Sequence, residues 1–314
     1  MDLLTDWLQE IGTNAVVLCR SRVSAPWGMR ISTQDGIMFH IMTEGSCWLC
    51  RSTDPPLRLL KGDLVLVPRG LDHELLDNPN SASIPLDDFL AQPSFPLNGN
   101  AMATLICGVY LTDANLIHPM LHALPPVIHL PASTISANPS LTSTLSLLIS
   151  ELDQSALGGK TLIQHLFDSL FIYILRTWTE ETAADHPGWI SALKDPYLSK
   201  ALAKIHAEPS HAWTVQSLAN EAGLSRAAFA RQFAQQLGEP PLGYLTRWRM
   251  IVAARLMLNT KASLAEVAEH VGYESEFAFS RAFKRSHGVA PTRYRNAPCP
   301  RETNATAKKP IQLF

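Results

Sequence analysis

Hydrophobic positions along this chain change their prevailing period shortly after residue 130. From Ala15 to about Leu130 they come in short runs: AVVLCRSRV, IMFHIMTEG, SCWLCR, LRLLKGDLVLVPRG, MATLICGVYL and VIHLP. Gly, Pro, Asn and Asp punctuate these runs, which predicts the strands of an all-β sandwich or barrel. Ahead of them, Leu3, Leu4, Trp7, Leu8 and Ile11 fall at helical spacing and predict a short helix over 1–12. The stretch from Asn78 to Asn100, rich in Pro, Ser and Asn, reads as a long loop. From Ser140 the period is helical. Leu141, Leu145, Leu148 and Leu152 share one face of a first helix. After Gly158 and Gly159, a second helix carries Leu162, Leu166, Phe167, Leu170, Phe171 and Ile174 in a stripe wider than one small neighbour usually covers. That stripe is either core of its own subunit or an antiparallel helix pair shared by two subunits. HPGWISALKDP, from His186 to Pro196, reads as a linker.

Between Trp213 and Arg295 one pattern then occurs twice. TVQSLANEAGLSRAAFARQFAQQLG runs from Thr214 to Gly238, and SLAEVAEHVGYESEFAFSRAFKRSHG from Ser263 to Gly288. Each copy has a short amphipathic helix, a turn opened by Gly223 or Gly272, and a Ser suited to capping the next helix. Each then places Phe at i and i+4: Phe229 and Phe233, then Phe279 and Phe283. Two helices joined by a short Gly-containing turn form a helix-turn-helix. The copies are joined by one long helix, PLGYLTRWRMIVAARLMLN, with Pro241 near its start, where a missing N–H costs nothing. With each Phe pair facing inward, the opposite side of the second helix can face DNA. In the first copy that side holds Ser225, Arg226, Ala227, Ala230 and Arg231; in the second, Ser275, Glu276, Phe277, Ser280, Arg281 and Lys284. Arg suits guanine O6 and N7 through two parallel hydrogen bonds, Lys and Ser more often hold phosphate, and Glu can accept from a cytosine amino group.

Charge sharpens this reading. The chain's formal net charge is -2, yet residues 197–314 hold 16 Lys and Arg against 8 Asp and Glu, while residues 1–196 hold 10 against 20. An acidic half followed by a basic half suggests that only the C-terminal part meets nucleic acid. No apolar run reaches the roughly 18 residues of a membrane span, and MDLLTDWLQE lacks the pattern of an export signal, so a cytoplasmic protein is expected. Five cysteines, Cys19, Cys47, Cys50, Cys107 and Cys299, are an odd number that argues against a disulfide framework. Cys47 and Cys50 form a C-x-x-C, but within a strand positions i and i+3 face opposite sides, and no second pair completes a zinc site.

With its two motifs, the Arg249–Ala253–Leu256 pattern of the joining helix, GYESEFAFSRAFKRSHG and the closing APTRYR, the segment from about Asp195 to Arg295 resembles the AraC/XylS family of bacterial transcription regulators. The resemblance implies seven helices, with two recognition helices entering successive major-groove segments of double-stranded operator or promoter DNA. FHIMTEG, GDLVLVPRGLDHEL and HPMLHALPPVIHLP resemble the cupin-like sensor domain of one branch of that family. In metal-binding cupins the first of these motifs supplies a His-x-His pair and a Glu, and the second a further His. Here His40 and His73 hold two such positions, Met42 replaces a His, and Glu44 is the carboxylate candidate. His40, Glu44 and His73 are therefore sensor-pocket candidates, either polar groups lining a cavity or, less simply, a facial triad.

The expected architecture is α+β and multidomain: a cupin-like β-barrel over 1–135, a helical dimerisation segment and linker over 136–190, an all-α DNA-binding domain with two helix-turn-helix motifs over 191–298, and a disordered tail over 299–314. A regulator of this kind would work as a homodimer, without cofactor or membrane, and engage RNA polymerase if it activates. Its signal would be a small-molecule effector or an oxidant. Cys107, sharing a strand face with Leu105 and Val109, and Cys19 in the first strand are the redox candidates, since neither position needs Cys for packing. The competing reading is a metal-dependent cupin enzyme tethered to DNA.

Overall fold

In the N-terminal part of the chain, strand segments pair into two five-stranded sheets that enclose one apolar core. The computed structural model describes residues 15–32, 36–91, 102–111, 124–154, 156–182, 192 and 195–296. The expected helix over 1–12 and tail over 299–314 lie outside them, as does most of the linker over 186–196. The chain divides into two compact units, one containing the described strands and the helices up to Thr182, the other the helices after residue 195.

The strands of the first unit are β1 (Ala15–Ser24), β2 (Gly28–Ile31), β3 (Gly36–Glu44), β4 (Ser46–Arg51), β5 (Asp54–Leu60), β6 (Leu64–Val67), β7 (His73–Leu76), β8 (Ile84–Pro85), β9 (Met102–Leu111) and β10 (Ile128–Leu130). One sheet has the order β1-β9-β3-β6-β10 and the other β5-β4-β7-β2-β8. The core between them draws Met38, Met42, Val65, Leu105, Cys107 and Val109 from the first sheet and Met29, Ile31, Cys47, Leu49, Leu59 and Leu75 from the second. This is the β-rich cupin-like domain expected, built from two sheets rather than one continuously hydrogen-bonded cylinder among the described residues.

The Gly-Asp turn between β5 and β6 has a plain physical reason. Gly62 sits at φ 89°, a left-handed conformation that L side chains rarely adopt. Buried Asp63 then accepts from the backbone N–H groups of Leu60 and Ala132 and from His129 Nε2, at 3.0, 2.9 and 3.0 Å, which ties the turn to the neighbouring edge strand β10.

One expectation needs correction here, and one choice left open finds support. The segment from Asn78 to Asn100 is not all loop: β8 and helix α1 (Leu86–Ala91) fall inside it. Leu86 and Phe89 are buried, and Phe89 lies against Trp27 with ring centroids 6.4 Å apart, so burial orders a segment whose Pro and Asn content suggested otherwise. The broad stripe also finds a home within its own subunit. After α2 (Ala132–Ala137) come α3 (Pro139–Leu152) and α4 (Gly159–Thr182). Phe167, Leu170, Phe171 and Ile174 of α4 are buried. Phe167 packs on Phe39 at 4.6 Å and Phe171 on Tyr110 at 5.5 Å between centroids. The helix thus covers the outer face of the first sheet, which explains why β3 is buried along almost its whole length.

The second unit holds seven described helices: α5 (Leu198–Ala207), α6 (Val215–Ala222), α7 (Arg226–Leu237), α8 (Pro241–Asn259), α9 (Leu264–His270), α10 (Glu276–His287) and α11 (Pro291–Asn296). The repeat seen in the sequence recurs as repeated capping. Thr214 and Ser217 close a capping box at the start of α6, and Ser263 and Glu266 do so for α9. Ser225 and Ser275 cap α7 and α10 by accepting from the N–H groups of Ala228 and Ala278. Gly223 and Gly272, at φ 70° and 76°, make the left-handed turns between the helices of each pair. Phe229 packs on Phe233, which in turn reaches Tyr244 near the start of α8. Phe279 and Phe283 pack with Met250, Ala253, Ala254 and Met257 nearer its end. Among the described residues, no helix is long and apolar enough to cross a membrane.

Candidate functional site

Two places concentrate chemistry, one in each unit. In the helical unit, α7 and α10 each turn one face inward and leave the other open. Phe229, Phe233, Phe279 and Phe283 are fully buried. On the opposite side Ser225, Arg226, Ala227 and Arg231 are exposed and Ala230 half-buried; on α10, Ser275, Glu276, Arg281 and Lys284 are exposed and Ser280 half-buried. Two open faces bearing arginine, each on a Ser-capped helix, therefore stand free of the core that positions them.

In the β unit, the two histidines expected to line a pocket meet. His40 Nε2 and His73 Nε2 are 2.7 Å apart, His40 Nδ1 is 3.0 Å from Cys107 Sγ, and His73 Nδ1 is 2.6 Å from the Leu71 carbonyl oxygen. All three side chains are buried. Burial drives His40 well below its usual pKa, helped by His73 beside it, and burial brings His73 down to about 4 against the opposing pull of its hydrogen bond to Leu71. Both rings are therefore neutral at neutral pH, and that fixes every proton. A carbonyl only accepts, so His73 Nδ1 carries a hydrogen and donates to Leu71. His73 Nε2 is then a lone pair that accepts from His40 Nε2–H. His40 Nδ1, left with a lone pair, accepts from the Cys107 thiol. The result is a one-way relay from thiol to imidazole to imidazole to backbone.

Glu44 does not join this group. It sits at the exposed end of β3, where its carboxylate accepts from the Thr104 hydroxyl at 3.1 Å. The expected trio is thus His40 and His73 with Cys107 in the third place. The arrangement does not fit a metal ion: all four ring nitrogens are engaged, His40 Nε2 carries a proton where a metal would need a lone pair, and Met42 and Glu44 add no ligand nearby. Cross-strand register, which a linear reading cannot supply, places His40 opposite Cys107 on β9 and Cys19 of β1 opposite Cys107 on its other side. The C-x-x-C pair splits as the strand period requires. Cys47 is buried, its thiol donating to Met42 Sδ at 3.4 Å and pushed up to about 12 mainly by burial, while Cys50 lies half-buried across from Glu74.

Comparison with known proteins agrees with this division. A family model described as "Cupin" matches residues 2–180, and one described as "Helix-turn-helix domain" matches residues 218–297. An AraC-like transcription regulator of Streptomyces lividans is 32% identical over 305 residues, covering 95% of this chain and 99% of its own. This chain belongs to the AraC family of transcriptional regulators. Two further relatives of this AraC-family protein are the HTH-type transcriptional regulator AlkR of Acinetobacter baylyi, 32% identical over 308 residues covering 94% and 99% of the two chains, and the RCS-specific HTH-type transcriptional activator RclR of Escherichia coli, 28% identical over 260 residues covering 82% and 84%. The AraC-family regulator binds DNA through its helix-turn-helix domain and carries an N-terminal cupin sensor domain. Its relatives regulate transcription rather than catalyse reactions, which sets aside the enzyme reading.

Proposed function

We propose that this AraC-family regulator reads operator DNA with the open faces of α7 and α10, and that oxidation of Cys107 in the sensor unit sets its DNA-binding state. The observation that carries the signal is the placement of Cys107 between Cys19 on one neighbouring strand and His40 on the other. Directly opposed residues on antiparallel strands have Cα atoms about 4.5–5.5 Å apart, within the roughly 4.4–6.8 Å that a disulfide spans. His40 accepts the thiol proton and so can take it up as sulfur attacks an oxidant. With a peroxide or hypochlorite, the thiol gains oxygen and becomes a sulfenic acid, while the oxidant is reduced to water or chloride. The Cys19 thiol then attacks that sulfur, an S–S bond forms and water leaves. The name of one relative, the RCS-specific activator RclR, favours an oxidant over a metabolite. A disulfide across β1 and β9 would stiffen the edge of the sheet that α4 covers.

The test measures operator binding by the full chain before and after hypochlorite or peroxide, for wild type, Cys19→Ser and Cys107→Ser. The expected result is a change in affinity that a dithiol reductant reverses and that either substitution abolishes. A response surviving both substitutions would overturn the thiol switch and leave a small-molecule effector ahead.

For DNA reading, Arg231→Ala and Arg281→Ala are each expected to cost about 1–3 kcal/mol on the preferred duplex and to relax preference at one base pair. Fluorescence anisotropy against single-base variants of that duplex reads both effects. A uniform loss across sequences would mean that these arginines hold phosphate only. The regulator is proposed to act as a homodimer in the cytoplasm, and as an activator it would engage RNA polymerase.

A further inference from the structure

We propose that Phe277 is a base-reading residue of the second helix-turn-helix motif: it contacts a thymine methyl group and holds Arg281 in position for a guanine close by on the same site. Of the nine described phenylalanines eight are buried, and Phe277 is 72% exposed. Its exposure follows from the helix period, because the inward face of α10 belongs to Phe279 and Phe283. Burial would be worth about 1.5–3 kcal/mol for a side chain of this size, a gain that the free protein forgoes at this position.

Its neighbours indicate what would cover it. Phe277 is the second residue of α10, after the Ser275 cap, in the first turn that a recognition helix directs into the major groove. Beside it stands exposed Glu276. A carboxylate repels phosphate and a phenyl ring offers it no donor, so this end of a helix that is otherwise basic at Arg281, Lys284 and Arg285 suits base edges rather than backbone. One turn further on, the Arg281 guanidinium carbon lies over the Phe277 ring, 5.8 Å from its centroid. That is a cation–π contact between i and i+4. The ring thus restricts the guanidinium before DNA arrives, and the methyl group of thymine is the apolar element that the major groove offers it. With base pairs about 3.4 Å apart, groups separated by 5.8 Å reach positions within two base pairs of each other. The first motif gives an internal contrast: aligned on their Ser caps, Ala227 occupies the place of Phe277, and Arg231 that of Arg281. The two motifs share a scaffold and differ in what supports the arginine.

The inference rests on α10 entering the groove, and the experiment separates the two. The full chain selects its preferred duplex from a random-sequence library, and each dT of that duplex is then replaced singly by dU, which removes only the methyl group. Wild type is expected to lose about three- to fivefold at one dU position, the effect of roughly one apolar carbon. Phe277→Ala is expected to lose a similar factor on the parent duplex and to become indifferent to dU there. Phe277→Leu keeps an apolar contact but no ring face, so it should keep the dU sensitivity and lose discrimination at the neighbouring G·C pair. A wild-type dU profile in Phe277→Ala, or a preferred site with no T within two base pairs of the guanine that Arg281→Ala identifies, would overturn the proposal. If Arg281→Ala changes discrimination while Phe277→Ala does not, only this inference fails; if neither changes it, the reading role of α10 fails with it. Because Phe277 packs on no core residue, both variants should melt with wild type.

Discussion

Leu170→Glu should unfold the sensor unit instead of yielding a folded monomer. Leu170 is 1% exposed in the row where Phe167, Phe171 and Ile174 close the outer face of the first sheet. A carboxylate placed there loses its hydration with no partner to replace it, a cost of several kcal/mol. Whole domains are stable by only about 5–15 kcal/mol, so most or all of that margin goes. Near-UV circular dichroism should lose its sensor-unit signal, and limited proteolysis should leave a fragment starting near residue 195. A soluble, folded Leu170→Glu monomer would return the stripe to a subunit interface. The exposed leucines of the same helix pair are the contrast: Leu147 and Leu162 are 59% and 48% exposed. Leu147→Glu combined with Leu162→Glu should fold normally, and sedimentation of that variant tests whether the outer face of α3 and α4 carries the proposed dimer.

Mild acid should weaken both units through their buried histidines. His73 is held to about 4 and His206 to about 3, in both cases chiefly by burial, and His40 also lies well below its usual value. Above the ordinary histidine pKa of 6.5, folded and unfolded chains are both neutral at these positions and stability is flat. As pH falls below 6.5 the unfolded chain takes up protons that the folded chain refuses, and stability drops until the folded pKa is reached. For His73 alone the loss between pH 7.5 and 5 is about 2 kcal/mol, and His206 adds about the same in the helical unit. His206 is buried there, its ring stacked 3.9 Å from Trp248 and its Nε2 2.7 Å from the Tyr244 hydroxyl. Hydrogen exchange followed separately in β3 and β7 and in α5 and α8 should show protection falling over that window. Unchanged protection in β3 and β7 would mean that the sensor pair already carries a proton.

Much of this was readable in the sequence because it is local. A Ser before each recognition helix, Gly223 and Gly272 in the turns, and Phe at i and i+4 are short-range instructions, and the helical unit follows them. The strands around His40 and Cys107 were legible for the same reason, from alternation and turn residues. β2 and β7 were harder: each is only four residues long, and GMRI and HELL carry little alternation of their own. Their places come from pairing with each other and, for β7, with β4. The relay was beyond a linear reading, because Cys107 is 67 residues from His40 in sequence and becomes its neighbour only through the register of β3 with β9. Glu44 misled through proximity in sequence, since its place near the end of β3 carries it away from the buried pair. The stripe on α4 was ambiguous because an apolar face does not say which surface covers it, and that surface is the outside of a sheet whose strands all lie before α4 in the chain.

Arg249, in the middle of the 19-residue α8, donates to the carbonyl oxygens of Pro209 and His211 ahead of the first motif, at 2.7 and 2.8 Å, and lies over the Tyr273 ring in the turn of the second. Gly272 reinforces this clasp, since a Cβ there would come within 2.5 Å of the Ser210 carbonyl oxygen. The two reading heads are thus riveted to one beam about 28 Å long, at the rise of 1.5 Å per residue. Such a device gauges distance as well as letters. With about 10 base pairs per turn of duplex, one extra pair between the two half-sites swings one of them about 36° around the axis, beyond the reach of a head whose mounting does not swivel. Where α7 and α10 read the duplex as proposed, spacing is as much a part of this regulator's address as the bases themselves.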